Sequence, residues 1–543
     1  MLNYVWITLL FLGIITALAT DIVNQNNNKY RNNEPLPVAI SFNKAFDPAI
    51  EKSYDAILTI NKKDFNSLYE ENISSDFSIP AEITVNPNAG KMSVLLKTNK
   101  ETPKIWQEMT PMSGEKDDLS GSIYTLSLIS EKEATAEIIL EEVLFLKMKE
   151  VTNSTLEYAR ISVNIALGLI GIMALWLGVM KIAEEAGLIA IMANWLKPVT
   201  KKLFPDVPSD HPAMGSMIMN ISANMLGLGN AATPFGLKAM EDLDKLNPKK
   251  GTATNAMVTF LAINTAGMTL IPATAIAVRA AAGSSDPAII IGTSLFGAFC
   301  ATVIGVTAAK VLEKFPLRQD GLSGLIKKNR KGILIFTGLV VVALLLTLTG
   351  LGKLIISVLA FLNPETLKTV IEIVSTVAVP LLIFLFVGFG VYRKVKIYEQ
   401  FIEGAKEGFN IAVRIIPYLV AILVAIGIFR AGGGMDWLVK GLEPITNFIG
   451  MPAEALPMAL MRPLSGSGSL GIMTEIISVH GPDSFIGILV STFFGSTETT
   501  FYVLAVYFGA VNIKKTRHAV AAGLLADVAG ILGALFIVKL LFG

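Results

Sequence analysis

A carboxylate lies inside one of the most apolar stretches of this chain. Glu498 belongs to the run Gly495-Ser-Thr-Glu-Thr-Thr500, which interrupts an apolar segment from Phe485 to Phe508. A carboxylate at that depth in a membrane span must be paired, protonated or open to water, so a functional role is the first expectation. The run predicts that Glu498 carries a proton or binds a cation, beside Thr497 and Thr499. A static ion pair is the alternative.

An arginine and a run of serines form the second polar group. The sequence from Arg462 to Gly471 alternates serine and glycine between apolar residues. Hydroxyls and loose backbone of this kind coordinate cations or hydrogen-bond solutes in broken transporter helices. A flexible linker is the alternative, which the apolar flanks disfavour. We therefore predict that Arg462 pairs with Glu498 and that the serines contact a ligand: Ser465, Ser467 and Ser469.

Amide and hydroxyl side chains form the third group, between His211 and Pro234. Such groups are costly at membrane depth unless they find partners. Gly227 and Gly229 allow a sharp turn there. Ligand contact is the functional interpretation, and helix–helix hydrogen bonding is the alternative. The predicted ligand-binding residues here are Asn220, Ser222, Asn224 and Asn230, with Asn264 and Thr265 in the uncharged counterpart of the Glu498 run.

Residue types typical of catalysis are scarce. The chain has one cysteine, Cys300, and three histidines far apart in the sequence. This pattern contains no nucleophile–base pair and no metal-ligand cluster, and no nucleotide-binding glycine motif follows a strand. We therefore predict that the protein is not an enzyme, holds no metal and needs no cofactor beyond a coupling cation or proton.

The composition places these polar groups in a membrane. Of the 543 residues, 52% are hydrophobic and 16% are charged, which is too apolar for a soluble domain. The net charge of +1 argues against a nucleic-acid partner. The elements that position the polar groups are therefore expected to be transmembrane helices in the lipid bilayer.

The chain contains the same membrane unit twice. Asn164-Ile-Ala-Leu167 corresponds to Asn410-Ile-Ala-Val413, and Leu196-Lys-Pro-Val-Thr200 corresponds to Leu442-Glu-Pro-Ile-Thr446. Basic clusters after several apolar segments predict the cytoplasmic side. With all of them inside, the two copies have opposite orientations, and each contains a re-entrant hairpin, at 208–236 and 452–480. The predicted spans are 1–21, 157–180, 254–279, 287–312, 332–350, 368–392, 410–430, 484–508 and 519–541.

A polar region separates the first two spans. Short alternating runs in residues 22–155 predict a small β-sandwich-like domain, which lies outside the cytoplasm in this topology. The predicted organisation is one transmembrane helix (1–21), the β-rich domain (22–155), repeat one (156–315), a linker with an extra span (316–367) and repeat two (368–543).

Long strings in both copies resemble a known family. Residues 156–312 resemble spore maturation protein A through Asp210-His-Pro-Ala-Met-Gly215 and the string from Asn220 to Met240. Residues 368–543 resemble spore maturation protein B through Met461-Arg-Pro-Leu-Ser-Gly-Ser-Gly468 and the string from Gly495 to Val503. The resemblance implies a fusion of two proteins that are usually separate. It also implies membership of the nucleoside-recognition or Gate group, which includes parts of concentrative nucleoside transporters.

These observations predict a polytopic protein of the inner (cytoplasmic) membrane that moves a small polar or anionic solute, with coupling to a cation or proton. A flippase for lipid or a lipid-linked precursor is one alternative, and a non-transporting envelope assembly scaffold is the other. A homo-oligomer and an envelope partner for residues 22–155 are compatible with the sequence.

Overall fold

The computed structural model describes residues 2–87, 91–112, 118–313 and 364–543. They form two compact units. One unit holds Ile7–Glu157 with Gly427–Trp437, and the other holds most of the remaining chain.

Six antiparallel strands form a closed barrel in the first unit. Each strand pairs with the next, and the first pairs with the last. The strands are β1 (Leu36–Phe42), β2 (Lys52–Ile60), β3 (Phe77–Asn86), β4 (Lys91–Lys97), β5 (Asp118–Leu128) and β6 (Glu133–Leu140).

The alternating pattern of the strands fills the inside of the barrel. Along β1 every second side chain is buried, from Leu36 to Phe42. Two short helices, α2 (Lys62–Tyr69) and α3 (Lys104–Met109), contribute the fully buried rings of Phe65 and Trp106, whose centroids lie 5.5 Å apart. Aromatic burial of this kind stabilises a small domain strongly.

The predicted β-sandwich is wrong in one respect, because the sheet closes on itself. Val38 of β1 lies opposite Ala136 of β6 in an antiparallel ladder. Alternation sets which side chains face inward but does not specify whether the first and last strands pair. Closure removes both exposed edges, which a sandwich would have to protect by other means.

Helices make up the rest of the described chain. Five of the described helices are long and apolar enough to cross a membrane: Trp6–Asn26, Leu146–Glu185, Pro287–Leu312, Ile397–Ala431 and Ala519–Phe542. The protein is therefore a multi-pass membrane protein. The helices are α1 (Leu2–Asn26), α4 (Leu146–Glu185), α5 (Leu188–Leu203), α6 (Pro212–Met225), α7 (Gly229–Lys245), α8 (Asn255–Ala266), α9 (Ala273–Ala281), α10 (Ile290–Leu312), α11 (Pro364–Tyr392), α12 (Ile397–Ala431), α13 (Gly434–Ile449), α14 (Leu456–Met461), α15 (Gly466–His480), α16 (Phe485–Ser496), α17 (Thr500–Ala510) and α18 (Ala519–Phe542).

The same order of helices occurs twice. In α4–α10 and again in α12–α18, a long helix is followed by an amphipathic helix, a helical hairpin, two short helices and a final apolar helix. The first junction has a left-handed glycine in both copies, Gly187 with φ +84° and Gly433 with φ +83°. This order agrees with the predicted duplication, while opposite orientation of the copies stays a prediction. The predicted span 332–350 lies outside the described residues.

Two predicted spans, 254–279 and 484–508, are each broken into two helices. α8 ends at Ala266 and α9 begins at Ala273, whereas α16 ends at Ser496 and α17 begins at Thr500. Gly267 takes a left-handed conformation with φ +56° at the first break. Thr497 is fully extended at the second, with φ −146° and ψ 165°. Apolar content averaged over a whole span hides such local breaks.

A buried arginine joins the loops of the two copies. The guanidinium of Arg279, at the end of α9, is fully buried and donates to the Pro482 carbonyl and to Asp483 Oδ1, the latter at 2.8 Å. Two further hydrogen bonds reach Ser284 Oγ at 3.0 Å and the Asp286 carbonyl at 3.2 Å. Several acceptors thus surround this charge.

Asp483 is equally well satisfied. It accepts hydrogen bonds from Ser284 Oγ at 2.5 Å, Ser285 N at 2.8 Å and Ser285 Oγ at 2.9 Å. Partial burial alone would raise the pKa of Asp483, but these donors and the charge of Arg279 outweigh it and lower the pKa. We call this group the Arg279–Asp483 clamp.

Candidate functional site

The two helix breaks meet each other. The backbone N–H of Glu498 donates to the Thr265 carbonyl at 2.8 Å, which ties the end of α8 to the break after α16. A Cβ at Gly267 would lie 2.5 Å from Glu498 Cγ. Glycine is therefore needed here both for its left-handed backbone and for the close approach of the second break.

A cavity of about 400 Å³ opens beside this meeting point. Its size suits a small-molecule site. Residues from both copies line it, and they come from α4, the α6–α7 turn, the α8–α9 break, α12 and the α16–α17 break. The polar and charged lining residues are Lys181, Glu184, Asn224, Thr269, Thr274, Glu407, Arg462, Thr497 and Glu498.

The two charges predicted to pair face different surroundings. Arg462 Nη2 lies 3.8 Å from Glu498 Oε2, which is a loose ion pair. The Arg462 side chain is 3% exposed, whereas that of Glu498 is 54% exposed. Arg462 donates to the Thr497 carbonyl, and its guanidinium carbon lies 4.5 Å from the centre of the Phe494 ring. Both residues line the cavity, but the carboxylate is the more exposed of the two charges, and the guanidinium is bound to the backbone of the break.

The other basic group of the cavity is compensated. Lys181 Nζ lies 3.3 Å from Glu184 Oε2 and 3.0 Å from Glu185 Oε1, one helical turn along α4. With Glu407 also in the lining, acidic side chains outnumber basic ones there. The cavity therefore favours positive charge or hydrogen-bond donors over anions.

A chain of amides and one tyrosine fixes the wall of the cavity. Asn224 Nδ2 donates to Asn264 Oδ1 at 2.9 Å, and Tyr507 Oη donates to the same oxygen at 3.3 Å. Asn220 Nδ2 donates to Tyr507 Oη at 3.2 Å and to the Ala232 carbonyl at 2.8 Å. This network joins the first hairpin to α8 and α17. The sequence analysis missed Tyr507, although a phenol in an apolar span needs a buried partner.

Four of the predicted site residues line the cavity directly: Asn224, Arg462, Thr497 and Glu498. Asn264 joins them through its bond to Asn224. Asn220, Ser222, Thr265 and Thr499 are buried, and Ser222 Oγ donates to the Ile218 carbonyl in its own helix. The side chain of Asn230 lies outside what the structure describes.

The three serines build a helix start. Ser465 accepts a hydrogen bond from Gly468 N at 3.0 Å as the N-cap of α15. Ser469 Oγ donates to the Ser465 carbonyl at 2.7 Å, and Ser467 Oγ lies 3.4 Å from Ser465 Oγ. Only Ser465 caps the helix, whereas Ser469 bonds to the backbone of the preceding turn and Ser467 lies against Ser465; ligand contact by the three stays a prediction. Within the described residues, no cluster of three or more His, Cys, Asp or Glu side chains could hold a metal ion.

Comparisons with known proteins match both copies. The family model Gate, described as nucleoside recognition, matches residues 166–282 and 412–514. Spore maturation protein B of Bacillus subtilis (strain 168) is 51% identical over 174 residues, which cover 32% of this chain and 98% of that protein. Spore maturation protein A of the same organism is 45% identical over 168 residues, covering 31% of this chain and 84% of that protein. No solved structure matches the chain.

Both relatives are covered over most of their length by one polypeptide, and the Gate model matches it twice. The chain therefore belongs to the family of spore maturation proteins A and B, as a fusion of the two with nucleoside-recognition Gate domains.

Proposed function

We propose that this protein transports a small polar solute across the inner membrane through the cavity at the two helix breaks. The observation that carries the proposal is the carboxylate of Glu498, which is 54% exposed where the broken helices of both copies meet. An exposed charge at such depth is functional by default. Irregular backbone within a membrane is tolerated where it lines a cavity, and transporters place their binding sites at such breaks.

The cavity supports a narrower solute class than the sequence does. The sequence analysis allows a polar or anionic solute. Arg462 is 3% exposed and already donates to the Thr497 carbonyl, so it has little capacity to bind an anion. Glu498 and the Asn224 amide favour a neutral or cationic solute that donates hydrogen bonds. We propose that Glu498 binds the solute directly and exchanges it for a proton or cation.

The repeated order of helices suits this mechanism. We propose that the two copies are inverted and that each hairpin, α6–α7 and α14–α15, enters and leaves the membrane on one side. Movement of one copy against the other would then open the cavity alternately to each side. The Arg279–Asp483 clamp joins the copies by their loops and would hold one of these states.

Uptake by proteoliposomes tests the proposal, with radiolabelled uridine as a neutral polar probe that fits the Gate description. Wild-type protein should load vesicles above protein-free liposomes. Glu498→Gln keeps the shape of the side chain but removes its charge. It should lower uptake at least about tenfold, which corresponds to about 1.4 kcal/mol.

Glu403→Gln is the matched control. Glu403 also lies on a membrane-unit helix, but its side chain is 65% exposed and pairs with Lys406 outside the cavity. It should keep wild-type uptake. Uptake that Glu498→Gln leaves unchanged would contradict the role of Glu498, and wild-type vesicles that never exceed protein-free ones would contradict a nucleoside-like solute.

A further inference from the structure

A second carboxylate is buried in the middle of α18. Asp527 is 1% exposed. Its Oδ2 accepts a hydrogen bond from Thr500 Oγ1 at 2.5 Å, and its Oδ1 has no partner among the described residues. Unlike that of Glu498, the carboxylate of Asp527 is shielded from water. A single hydrogen bond therefore compensates its negative charge poorly.

Two glycines place Asp527 at the level of the α16–α17 break. Gly523 and Gly530 lie one turn before and one turn after it, on the same face of α18. A Cβ at Gly523 would lie 2.7 Å from Thr500 Cγ2 and 3.5 Å from Thr265 Cγ2. A Cβ at Gly530 would overlap the methyl group of Thr497. α18 is therefore pressed against both helix breaks, with Asp527 between the two contacts.

Two threonines that pack against this part of α18, one turn to either side of Asp527, have hydroxyl groups without partners in the described ranges. Thr265 is fully buried and Thr497 is 2% exposed. The Oγ1 atom of each has no hydrogen-bond partner within the described part of the chain. Buried polar atoms are rarely left in this state in folded proteins, and each such case calls for an explanation. Two threonines, one at each helix break, and Asp527 of α18 thus each have a buried oxygen without a partner in that part of the chain.

A cation would meet that need. Asp527 makes no ion pair within the described residues, where Arg462 is paired with Glu498. A carboxylate, hydroxyls and backbone carbonyls at helix breaks are hard oxygen ligands, which suit alkali cations in transporters. One carboxylate matches a single positive charge. A proton alone would neutralise Asp527 but would leave the hydroxyls of Thr265 and Thr497 unsatisfied.

We propose that Asp527 and Thr500, together with Thr265 and Thr497, form an occluded binding site for Na⁺ that is separate from the cavity carboxylate Glu498. The site joins α18 to both helix breaks, so an ion bound there would order the wall of the solute cavity. Because ion binding is detected through the stability of the purified protein, the test is independent of transport and of the solute.

The test is thermal unfolding of the purified full-length protein in detergent, in NaCl and in choline chloride at equal ionic strength and fixed pH. Na⁺ should raise the unfolding temperature of the wild type in a saturable way. Asp527→Asn should abolish that rise, whereas Glu403→Gln, which lies outside the cavity, should keep it. A wild type without a Na⁺-dependent rise, or a rise that Asp527→Asn retains, would overturn the proposal. A rise that follows pH but not Na⁺ would identify a proton site and would also overturn it.

A milder variant covers the case in which Asp527→Asn does not fold. Thr500→Val keeps the shape of the side chain but removes the hydroxyl bonded to Asp527. The Na⁺ concentration for half of the temperature rise should increase about tenfold, as expected for a lost bond to a charged group. An unchanged half-saturating concentration in Thr500→Val would contradict the assigned ligands.

Discussion

Two arginine–carboxylate pairs among the described membrane helices and their loops differ in distance, burial and surroundings. In the Arg279–Asp483 clamp, the charged atoms lie 2.8 Å apart and the arginine is fully buried. In the Arg462–Glu498 pair the distance is 3.8 Å, and the carboxylate is 54% exposed. The clamp joins two loops, whereas the loose pair lies at the meeting of two helix breaks.

The surroundings of the two pairs explain this difference. Arg279 donates to several acceptors, including the carbonyls of Pro482 and Asp286, which fix its position. Arg462 donates to the Thr497 carbonyl, and the Glu498 carboxylate is half exposed. The tight geometry supports a structural role for the clamp, and the loose geometry supports the role proposed for Glu498.

The largest expected effect comes from breaking the clamp. Asp483→Ala leaves Arg279 buried without its charge partner, and it should lower the free energy of unfolding by about 2–3 kcal/mol. Loss of one partner of a fully buried pair costs about 3–5 kcal/mol. We expect less here because the Asp483 side chain is 42% exposed. Unfolding of purified protein in detergent measures the change.

Glu498→Gln is the counterpart that sharpens the comparison. It should change the free energy of unfolding by less than about 1 kcal/mol, as exposed ion pairs do. Equal losses of stability in the two variants would show that both pairs are structural, contrary to this account.

A methyl group where the two helix breaks meet should cost less stability than breaking the clamp does. In Gly267→Ala the left-handed backbone and the overlap with Glu498 Cγ should cost about 1–2 kcal/mol. The displaced carboxylate should also reduce uridine uptake. The unfolding temperature and the uridine uptake are both measured on the same preparation of the Gly267→Ala protein.

Gly215→Ala is the matched control for this methyl group. Gly215 lies inside α6, and a Cβ there would meet nothing within 4 Å. Alanine is favoured over glycine inside a helix by up to about 1 kcal/mol, so stability should stay equal or rise and uptake should persist. A Gly267→Ala protein as stable and active as Gly215→Ala would argue against close contact of the two breaks.

Local sequence patterns predicted a large part of this structure. The short alternating runs of residues 22–155 overlap the six strands, and the polar run around Glu498 coincides with a helix break. The pairing of β1 with β6 was not predictable, because it depends on contacts between the two ends of the domain. The breaks themselves were concealed, since residues on both sides of Gly267 and Thr497 are apolar enough to resemble one continuous span.

Within the candidate site, the sequence predicted that Arg462 and Glu498 lie together, and they form a loose ion pair. Nothing in the sequence indicates which of the two side chains is buried and which is exposed. Tyr507 donates a buried hydrogen bond to Asn264, and Asp527 accepts one from Thr500, so both join segments that are distant in sequence. Such partners are set by helix packing, which a single sequence does not encode in any local pattern.

Charge-selective labelling tests the central claim most directly, namely that Glu498 dominates an open cavity. Thr269 lines the cavity, and Thr269→Cys is placed in a Cys300→Ala background so that it carries the single thiol of the chain. The measured quantity is the ratio of the reaction rate with a cationic methanethiosulfonate to that with an anionic one. This ratio should be at least about tenfold higher for the cavity thiol than for a small free thiol, since a carboxylate concentrates cations in a cleft. Adding Glu498→Gln should bring that ratio back toward the free-thiol value. A thiol that reacts with neither reagent, or a preference that Glu498→Gln leaves unchanged, would contradict the account.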